Sequence, residues 1–179
     1  MLDAALELFA EHGFDGTSLQ QIADRLGITK AAVYYHFHSK DDLLAALVEP
    51  AFDDLDALLG QVEALPADSA RPRLALQAFT EYLLQHRSTA AWMSRDAGAL
   101  TRPAVWERTR QVEQRLDVLL TSGDADPLAR FWTSVFTRAV SGAILDQPDA
   151  DEQWLRTEVA ELGKHLLSGY RAARRRQQP

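Results

Sequence analysis

The sequence lacks cysteine altogether, which excludes disulfide bonds and zinc sites built from cysteine. It also has no apolar run of about 18 residues or more, the length that a transmembrane helix needs. Its N-terminus carries acidic residues rather than a basic segment followed by an apolar one, so nothing in it predicts a secretory leader. These absences together favour a cytoplasmic protein that makes no membrane contact.

The signatures of common catalytic sites are missing too. The sequence has no glycine-rich phosphate loop, no His-Glu-x-x-His helix and no Gly-x-Ser-x-Gly turn. His36 and His38 stand two positions apart, so on a helix they face different directions and make a poor metal-binding pair. We therefore expect no enzymatic activity, no metal site and no cofactor.

Positive charge is also scarce. The 179 residues include 19 lysines and arginines against 26 aspartates and glutamates, for a net charge of −7. Residues 1–48 hold three cations and seven acids, whereas residues 17–40 hold the same three cations and a single acid. Any surface that attracts a polyanion is therefore small and lies within residues 17–40, which predicts modest affinity and a shallow dependence on salt.

A helix-turn-helix pattern does occupy residues 17–40. Thr17 and Ser18 can each cap the start of the first helix, with a glutamine three residues further on, as a capping box requires. Gly27 follows the last apolar position of this helix, where a left-handed backbone ends a helix at little cost. The inward face of the first helix has the spacing of one buried stripe and consists of Leu19, Ile22, Ala23 and Leu26.

The second helix of the pair begins after a capping residue, Thr29, and turns Val33 and Phe37 inward. Its first turn presents Lys30 followed by two alanines, which are small enough to let a helix sit deep in the major groove of DNA. Lys30 can donate to guanine acceptors or to a phosphate. The tyrosines and the histidine that follow suit phosphate oxygens.

The whole stretch resembles the DNA-binding region of the TetR family of bacterial transcriptional regulators. The family pattern is present at fixed spacing as Thr17-Ser18, Ile22-Ala23, Leu26-Gly27-Ile28, Val33-Tyr34-Tyr35-His36-Phe37, Lys40 and Leu43-Leu44. This resemblance covers about the first 48 residues by motif. Beyond them the chain matches the family as a helical pattern of suitable length.

The resemblance implies an all-α fold with a three-helix DNA-binding domain and a C-terminal helical domain for ligand binding and dimerisation. We expect the DNA-binding domain at 1–48, the ligand and dimer domain at 49–170 and a basic, solvated tail at 171–179. The expected DNA contacts are Ser18, Gln20, Thr29, Lys30, Ala31, Tyr34, Tyr35, His36 and Lys40. By resemblance, Lys30, Ala31 and Tyr35 lie near the bases. The expected phosphate contacts are Ser18, Thr29, Tyr34, His36 and Lys40, and Gln20 either reaches a base or makes no contact. Tyr34 has the alternative of being partly core.

A ligand pocket among the central helices is the second expectation, and it rests mainly on the family. Its candidates are Phe79, Tyr82, Trp92, Met93, Trp106, Trp132, Phe136 and Arg138. Each aromatic residue at helical spacing has the alternative of being plain core. Trp106 and Trp132 are favoured because they are large and lie beside polar groups that could orient a ligand. A pocket with this lining predicts a small hydrophobic or aromatic effector of unknown identity.

The later part of the chain predicts further helices. Pro50 lies inside a long apolar stripe and predicts a kink that either relays movement or is inert. Residues 88–102 predict a less regular piece. From Asp126 onward, the next helix carries two apolar stripes, one through Phe131 and one through Phe136, and is expected to be covered on both sides. In the TetR family the last two long helices pair with their mates in a homodimer; an intramolecular core is the alternative.

We therefore expect a homodimeric transcriptional regulator, most often a repressor, that binds a near-palindromic operator and is released by its effector. Two alternatives remain. One is a DNA-binding regulator without a small-molecule ligand. The other is a helical binding protein that has kept the fold and lost DNA recognition.

Overall fold

The computed structural model describes residues 1–121, 123 and 126–177, and the part of the chain that it describes folds into ten helices. The predicted all-α fold is confirmed. In chain order the helices are α1 Leu2–Gly16, α2 Leu19–Leu26, α3 Lys30–His36, α4 Lys40–Glu63, α5 Arg71–Gln85, α6 Arg87–Arg95, α7 Ala97–Leu100, α8 Pro103–Leu120, α9 Pro127–Leu145 and α10 Glu152–Gln177. Within these residues, none of the helices combines the length and apolar character that crossing a bilayer requires.

The ends of α2 and α3 follow the predicted capping. Ser18 is the N-cap of α2, and it forms a reciprocal capping box with Gln21. Gly27 adopts a left-handed conformation with φ 65° directly after α2. The Thr29 hydroxyl accepts a hydrogen bond from the N–H of Ala32 at 3.2 Å and so caps α3. These local signals set the turn between the two helices.

Thr17, the other predicted cap, has a different role. Its side chain is buried, and its hydroxyl donates to the carbonyl oxygens of Leu8 at 3.1 Å and Gly13 at 2.9 Å. Those carbonyls lie on α1, where the backbone of Gly13 leaves the helical region with φ 74° and ψ 162°. Helical structure resumes after this kink and runs to Gly16, so Gly13 interrupts α1 rather than ending it.

The chain divides into two compact units. The first comprises Met1–Asp53 with Ser88–Thr109, and the second comprises Asp54–Arg87 with the described residues of Arg110–Pro179. The division falls inside α4 and inside α8, so each unit contains segments that are distant in sequence. The linear scheme with boundaries at residues 48 and 170 stays a prediction.

Residues 88–102 are more regular than the sequence predicted. Almost all of α6 and the single turn of α7 lie within them, and α7 packs against α1 in the first unit. Asp96 lies between α6 and α7, and it caps α7 by accepting the N–H of Ala99 at 3.0 Å. The sequence did not predict α7, because a helix of a single turn is too short to show a helical period in its apolar residues.

The second unit packs α5, α9 and α10 against one another. On α9, the stripe that contains Phe136, Val140 and Ile144 is fully buried. The other stripe is only half-buried apart from Phe131, whose side chain is 61% exposed. Within a single chain, therefore, one of the two predicted apolar faces of α9 remains accessible to solvent.

The end of the chain is helical as far as the structure describes it. Helix α10 continues to Gln177, so residues 171–177 of the predicted tail belong to it, and residues 178–179 lie outside the described part. Arg174 forms an ion pair with Asp126, which caps the start of α9. The guanidinium of Arg174 thus helps to join the end of α10 to the beginning of α9.

Candidate nucleic-acid interface

Helix α3 presents the predicted reading surface to solvent. Thr29, Lys30 and Ala31 are exposed at its first turn. Tyr35 is 83% exposed, the largest exposed fraction among the exposed large hydrophobic side chains in the part of the chain that the structure describes. Its ring meets the ring of His36 edge-on, with centroids 5.2 Å apart. A buried Val33 anchors the opposite side of the helix, so these side chains are held outward together.

Tyr34 is also exposed, at 43%, and one face of its ring lies 5.6 Å from the ammonium nitrogen of Lys30. This cation–π contact holds the two side chains side by side. The alternative that Tyr34 is partly core is not supported by this exposure. Its phenol and the Lys30 ammonium can approach one anionic group from the same side.

A groove of about 420 Å³ collects much of the predicted phosphate-binding set. It lies between the start of α2, the outer face of α3 and the start of α4. Its lining residues are Thr17, Ser18, Leu19, Gln20, Lys30, Tyr34, His38, Ser39 and Lys40. The structure thus brings together five of the nine predicted contacts and adds His38 and Ser39, which sequence reasoning had not placed at this surface.

Gln20 and Lys40 have internal partners. The amide of Gln20 donates to the carboxylate of Asp24 at 2.7 Å. The Lys40 ammonium donates to the carbonyl of Thr17 at 2.8 Å and also to that of Phe14, and it lies 4.4 Å from the centre of the Phe14 ring. Burial lowers the pKa of Lys40 from its ordinary value. In this structure Lys40 fixes the turn between α1 and α2.

The positive charge available at this surface is smaller than the sequence count indicates. Arg25 pairs with Glu7 at 3.1 Å and with Glu11 at 2.9 Å, and these two acids hold its pKa above the ordinary value. Lys40 is engaged with backbone carbonyls. Of the three cations within residues 17–40, Lys30 is the one for which the described residues provide no ion-pair or hydrogen-bond partner, its contact being the Tyr34 ring.

The predicted ligand residues fall into both compact units. Trp92, Met93 and Trp106 belong to the first, and the remaining five belong to the second. Trp92 is buried, stacks on Phe9 at 5.3 Å and donates its indole N–H to Asp96. Trp106, by contrast, is 59% exposed. Within the first unit, therefore, Trp92 serves as core and Trp106 lies at the surface.

In the second unit, neighbouring aromatic rings pack together within α5 and within α9. Phe79 and Tyr82 stack with centroids 6.0 Å apart, and both are buried. Trp132 is half-buried and lies 6.0 Å from the ring of the buried Phe136. Arg138 is exposed and donates to the Ser134 hydroxyl at 3.2 Å. These five candidates are neighbours of the α5–α9 core, and their assignment to a ligand stays a prediction.

A separate groove of about 450 Å³ lies between α5 and α10. Its buried apolar side chains are Leu76, Val159 and Leu167, and it also exposes charged groups such as Arg73 and Lys164. None of the eight predicted ligand residues lines it. Its mixed lining could hold a ligand that is partly apolar and partly anionic.

Comparison with known proteins agrees with this geometry. The family model TetR_N, described as bacterial regulatory proteins of the tetR family, matches residues 1–47. These residues include the whole of α1, α2 and α3. The N-terminal region belongs to the TetR family.

Two relatives of this chain are themselves described as regulators. The HTH-type transcriptional regulator BetI of Escherichia coli is 31% identical over 119 residues, which are 64% of this chain and 60% of that protein. The biofilm operon icaADBC HTH-type negative transcriptional regulator IcaR of Staphylococcus aureus is 42% identical over 59 residues, 33% of this chain and 32% of that protein. The chain thus matches less than two thirds of the length of either relative.

Solved structures extend the likeness in fold beyond the TetR_N region. A TetR transcriptional regulator family member from Streptomyces coelicolor A3 superposes with a TM-score of 0.75, 24% identity, and coverage of 90% of this chain and 88% of that one. AibR, solved in complex with isovaleryl coenzyme A and operator DNA, gives a TM-score of 0.64 at 20% identity, covering 90% and 94%. The TetR-type architecture therefore holds across most of the chain.

Proposed function

We propose that this protein is a DNA-binding transcriptional regulator that acts as a homodimer and represses transcription. The observation that carries the proposal is the exposed face of α3, where Lys30, Ala31 and Tyr35 project outward beside the groove between α2, α3 and α4. A helix of this kind reads base edges from its first turn, and neighbouring hydroxyl and amine groups bind phosphates. The description of IcaR as a negative regulator supports repression.

Dimerisation is supported by apolar side chains that α9 and α10 leave exposed or half-buried. Phe131 on α9 is 61% exposed and Trp154 on α10 is 48% exposed, and Leu162 and Leu166 are half-buried. Burying such side chains against a second copy removes apolar area from water at roughly 25 cal/mol per Å². A two-fold dimer then places two α3 helices on half-sites one helical turn apart, about 34–36 Å.

We also propose that a small, largely apolar effector releases the protein from its operator. The complex of AibR with isovaleryl coenzyme A supports an effector with an apolar part. Release requires only that the effector prefers one dimer conformation, and a coupling of about 1–3 kcal/mol changes occupancy 5- to 150-fold. A thermal-shift screen of acyl and aromatic compounds tests this part, and a screen without any shift would favour a regulator without a small-molecule ligand.

Selection of sheared genomic DNA from the source organism tests DNA binding. We expect the wild-type protein to enrich a near-palindromic duplex, and Lys30→Ala and Tyr35→Ala each to lose that enrichment while remaining dimeric by analytical ultracentrifugation. Glu113→Ala on the exposed surface of α8, outside α9 and α10, is the matched control and should enrich the same duplex. Unchanged binding in both α3 variants would contradict the site, and no binding by the wild type at low salt would favour a protein that has lost DNA recognition.

A further inference from the structure

The turn between α1 and α2 has a polar partner from a distant part of the chain. Directly after the Gly13 kink, the backbone N–H of Phe14 donates to Oδ2 of Asp96 at 2.6 Å. The same oxygen accepts the indole N–H of Trp92 at 3.1 Å. Since Phe14 is fully buried, an unpaired N–H at this position would be costly, and the Asp96 carboxylate supplies its acceptor.

Asp96 is itself held in one orientation. Its other oxygen, Oδ1, caps α7 by accepting the N–H of Ala99 at 3.0 Å. The Trp92 ring that donates to Oδ2 stacks on Phe9, which in turn packs against the ring of Phe14 at 5.3 Å. Both carboxylate oxygens therefore have fixed donors, and the side chain has no freedom to follow a movement of α1.

A second contact strengthens the same junction. Arg102, just beyond α7, pairs with Asp15 at 2.6 Å, and its guanidinium lies 4.9 Å from the centre of the Phe14 ring. Gly98 approaches closely as well, because a Cβ added there would lie 2.7 Å from the Asp15 carboxylate. The segment from Trp92 to Arg102 thus holds the residues that immediately precede Thr17 and the Ser18 cap of α2.

We propose that Asp96 is a positioning residue for the DNA-reading helices, a role that rests on the proposed DNA binding. By accepting the N–H of Phe14, Asp96 fixes the direction in which the chain enters α2. Because the turn at Gly27 joins α2 to α3, the direction of α2 also sets the position of α3. Asp96 lies outside the TetR_N match and makes no hydrogen bond to a predicted DNA contact. Its charge acts on Lys40, whose ammonium is itself held by carbonyls of the α1–α2 turn, so its effect on DNA passes through that turn.

Asp96→Asn tests this role at nearly constant side-chain size. The carboxylate accepts from Phe14 and Trp92 on one oxygen and from Ala99 on the other. An asparagine has a single acceptor oxygen, so either orientation turns its NH₂ group toward at least one of these N–H donors. Where its oxygen still faces Phe14, this neutral oxygen accepts more weakly than a carboxylate, so the Phe14 hydrogen bond weakens in both orientations. We expect affinity for the duplex enriched by the wild-type protein to fall about tenfold or more, a loss of the size that couples distant sites.

Two controls separate positioning from general damage. Asp68→Asn changes an exposed carboxylate that accepts the N–H of Ala70, and it should leave affinity unchanged. Trp92→Phe keeps a ring against Phe9 but removes the indole donor and part of the buried ring. Because the N–H groups of Phe14 and Ala99 still hold the two oxygens of Asp96, its affinity should fall much less than that of Asp96→Asn. Affinity for a scrambled duplex should change little in Asp96→Asn, because the phosphate-binding side chains remain.

Hydrogen exchange of the Phe14 amide gives a readout that does not depend on DNA. Faster exchange in Asp96→Asn together with a selective loss of specific affinity would support the proposal. Wild-type affinity in Asp96→Asn, or an equal loss in Trp92→Phe, would overturn it. A wild-type protein that enriches no duplex would instead overturn the proposed DNA binding and, with it, this role for Asp96, whatever the Phe14 exchange rate shows.

Discussion

Lys30 and Lys40 carry the same charge and line the same groove, but their side chains have different environments. The Lys40 ammonium is held by carbonyl oxygens at the α1–α2 turn and by the Phe14 ring. The Lys30 ammonium lies over the Tyr34 ring on an exposed surface. Lys40 therefore stabilises the fold, and Lys30 remains available to a DNA phosphate or base.

Substituting each lysine with methionine should separate these roles. Lys40→Met leaves the carbonyls of Phe14 and Thr17 without their donor, and we expect the free energy of unfolding to fall by about 1–3 kcal/mol. Lys30→Met should leave stability within about 0.5 kcal/mol of wild type, as exposed substitutions usually do, and weaken binding to the selected duplex. Urea denaturation and fluorescence anisotropy measure the two effects, and a destabilised Lys30→Met would contradict the division.

Tyr82 should give the protein a distinct alkaline titration. Burial raises its pKa to about 12 from an ordinary value of 10.0. Because the folded state favours the neutral phenol, its contribution to stability is present below pH 10 and is lost as pH rises toward 12. Ultraviolet difference absorbance should show a late tyrosine phase in the wild type, and Tyr82→Phe should reduce the amplitude of this phase by one tyrosine. An unchanged late amplitude in the variant would assign the phase to another tyrosine.

At the scale of the element, the short helices α2 and α3 depend on their ends. Eight and seven residues are too few for a stable helix on propensity alone, so caps and the left-handed Gly27 define where each begins and ends. A glycine inside a helix has the opposite effect on stability, as at Gly60, which lies within the continuous helix α4.

Two glycine-to-alanine substitutions should therefore change stability in opposite directions. Gly27→Ala meets no atom within 4 Å, but it forces a Cβ onto a backbone with φ 65°, which costs about 1–2 kcal/mol. Gly60→Ala lies in α4 with its nearest neighbour, Arg115, at an ordinary 3.9 Å, and should stabilise by about 0.5–1 kcal/mol. Thermal unfolding of both variants checks the pair, and equal shifts of one sign would refute the argument from φ.

At the scale of the whole molecule, the open apolar surface of α9 and α10 is the feature that a single chain leaves unexplained. Phe131→Asp with Trp154→Asp places two charges on it, and burying them in an interface would be strongly unfavourable. We expect this double variant to sediment as a monomer, to keep its helical circular dichroism and to lose affinity for the selected duplex. Gln114→Asp adds a charge at an exposed position on α8, outside these two helices, and should remain dimeric. A double variant that stays dimeric would place the interface elsewhere.

The helix-turn-helix of residues 17–40 could be predicted from the sequence because its signals are local. Capping residues, the glycine after α2 and the three-and-four spacing of apolar residues act over one or two helical turns. The structure reproduces the Ser18 and Thr29 caps and the left-handed Gly27, whereas the Thr17 hydroxyl turns inward and Leu26, predicted on the inward face, is exposed. The all-α class follows from the same periodicity. Family resemblance suggested the proposed function, because residues 17–40 contain a long motif at fixed spacing.

The tertiary structure alone decided which groups meet across long stretches of chain. Asp96 lies 82 positions from Phe14, and no periodicity or capping rule links the two. The same holds for Lys40, whose ammonium turns inward to carbonyls of the α1–α2 turn, and for the aromatic ligand candidates, which fall in two compact units. Hydrogen bonds to backbone and ring contacts depend on how helices pack, and that packing has no signature within one helix.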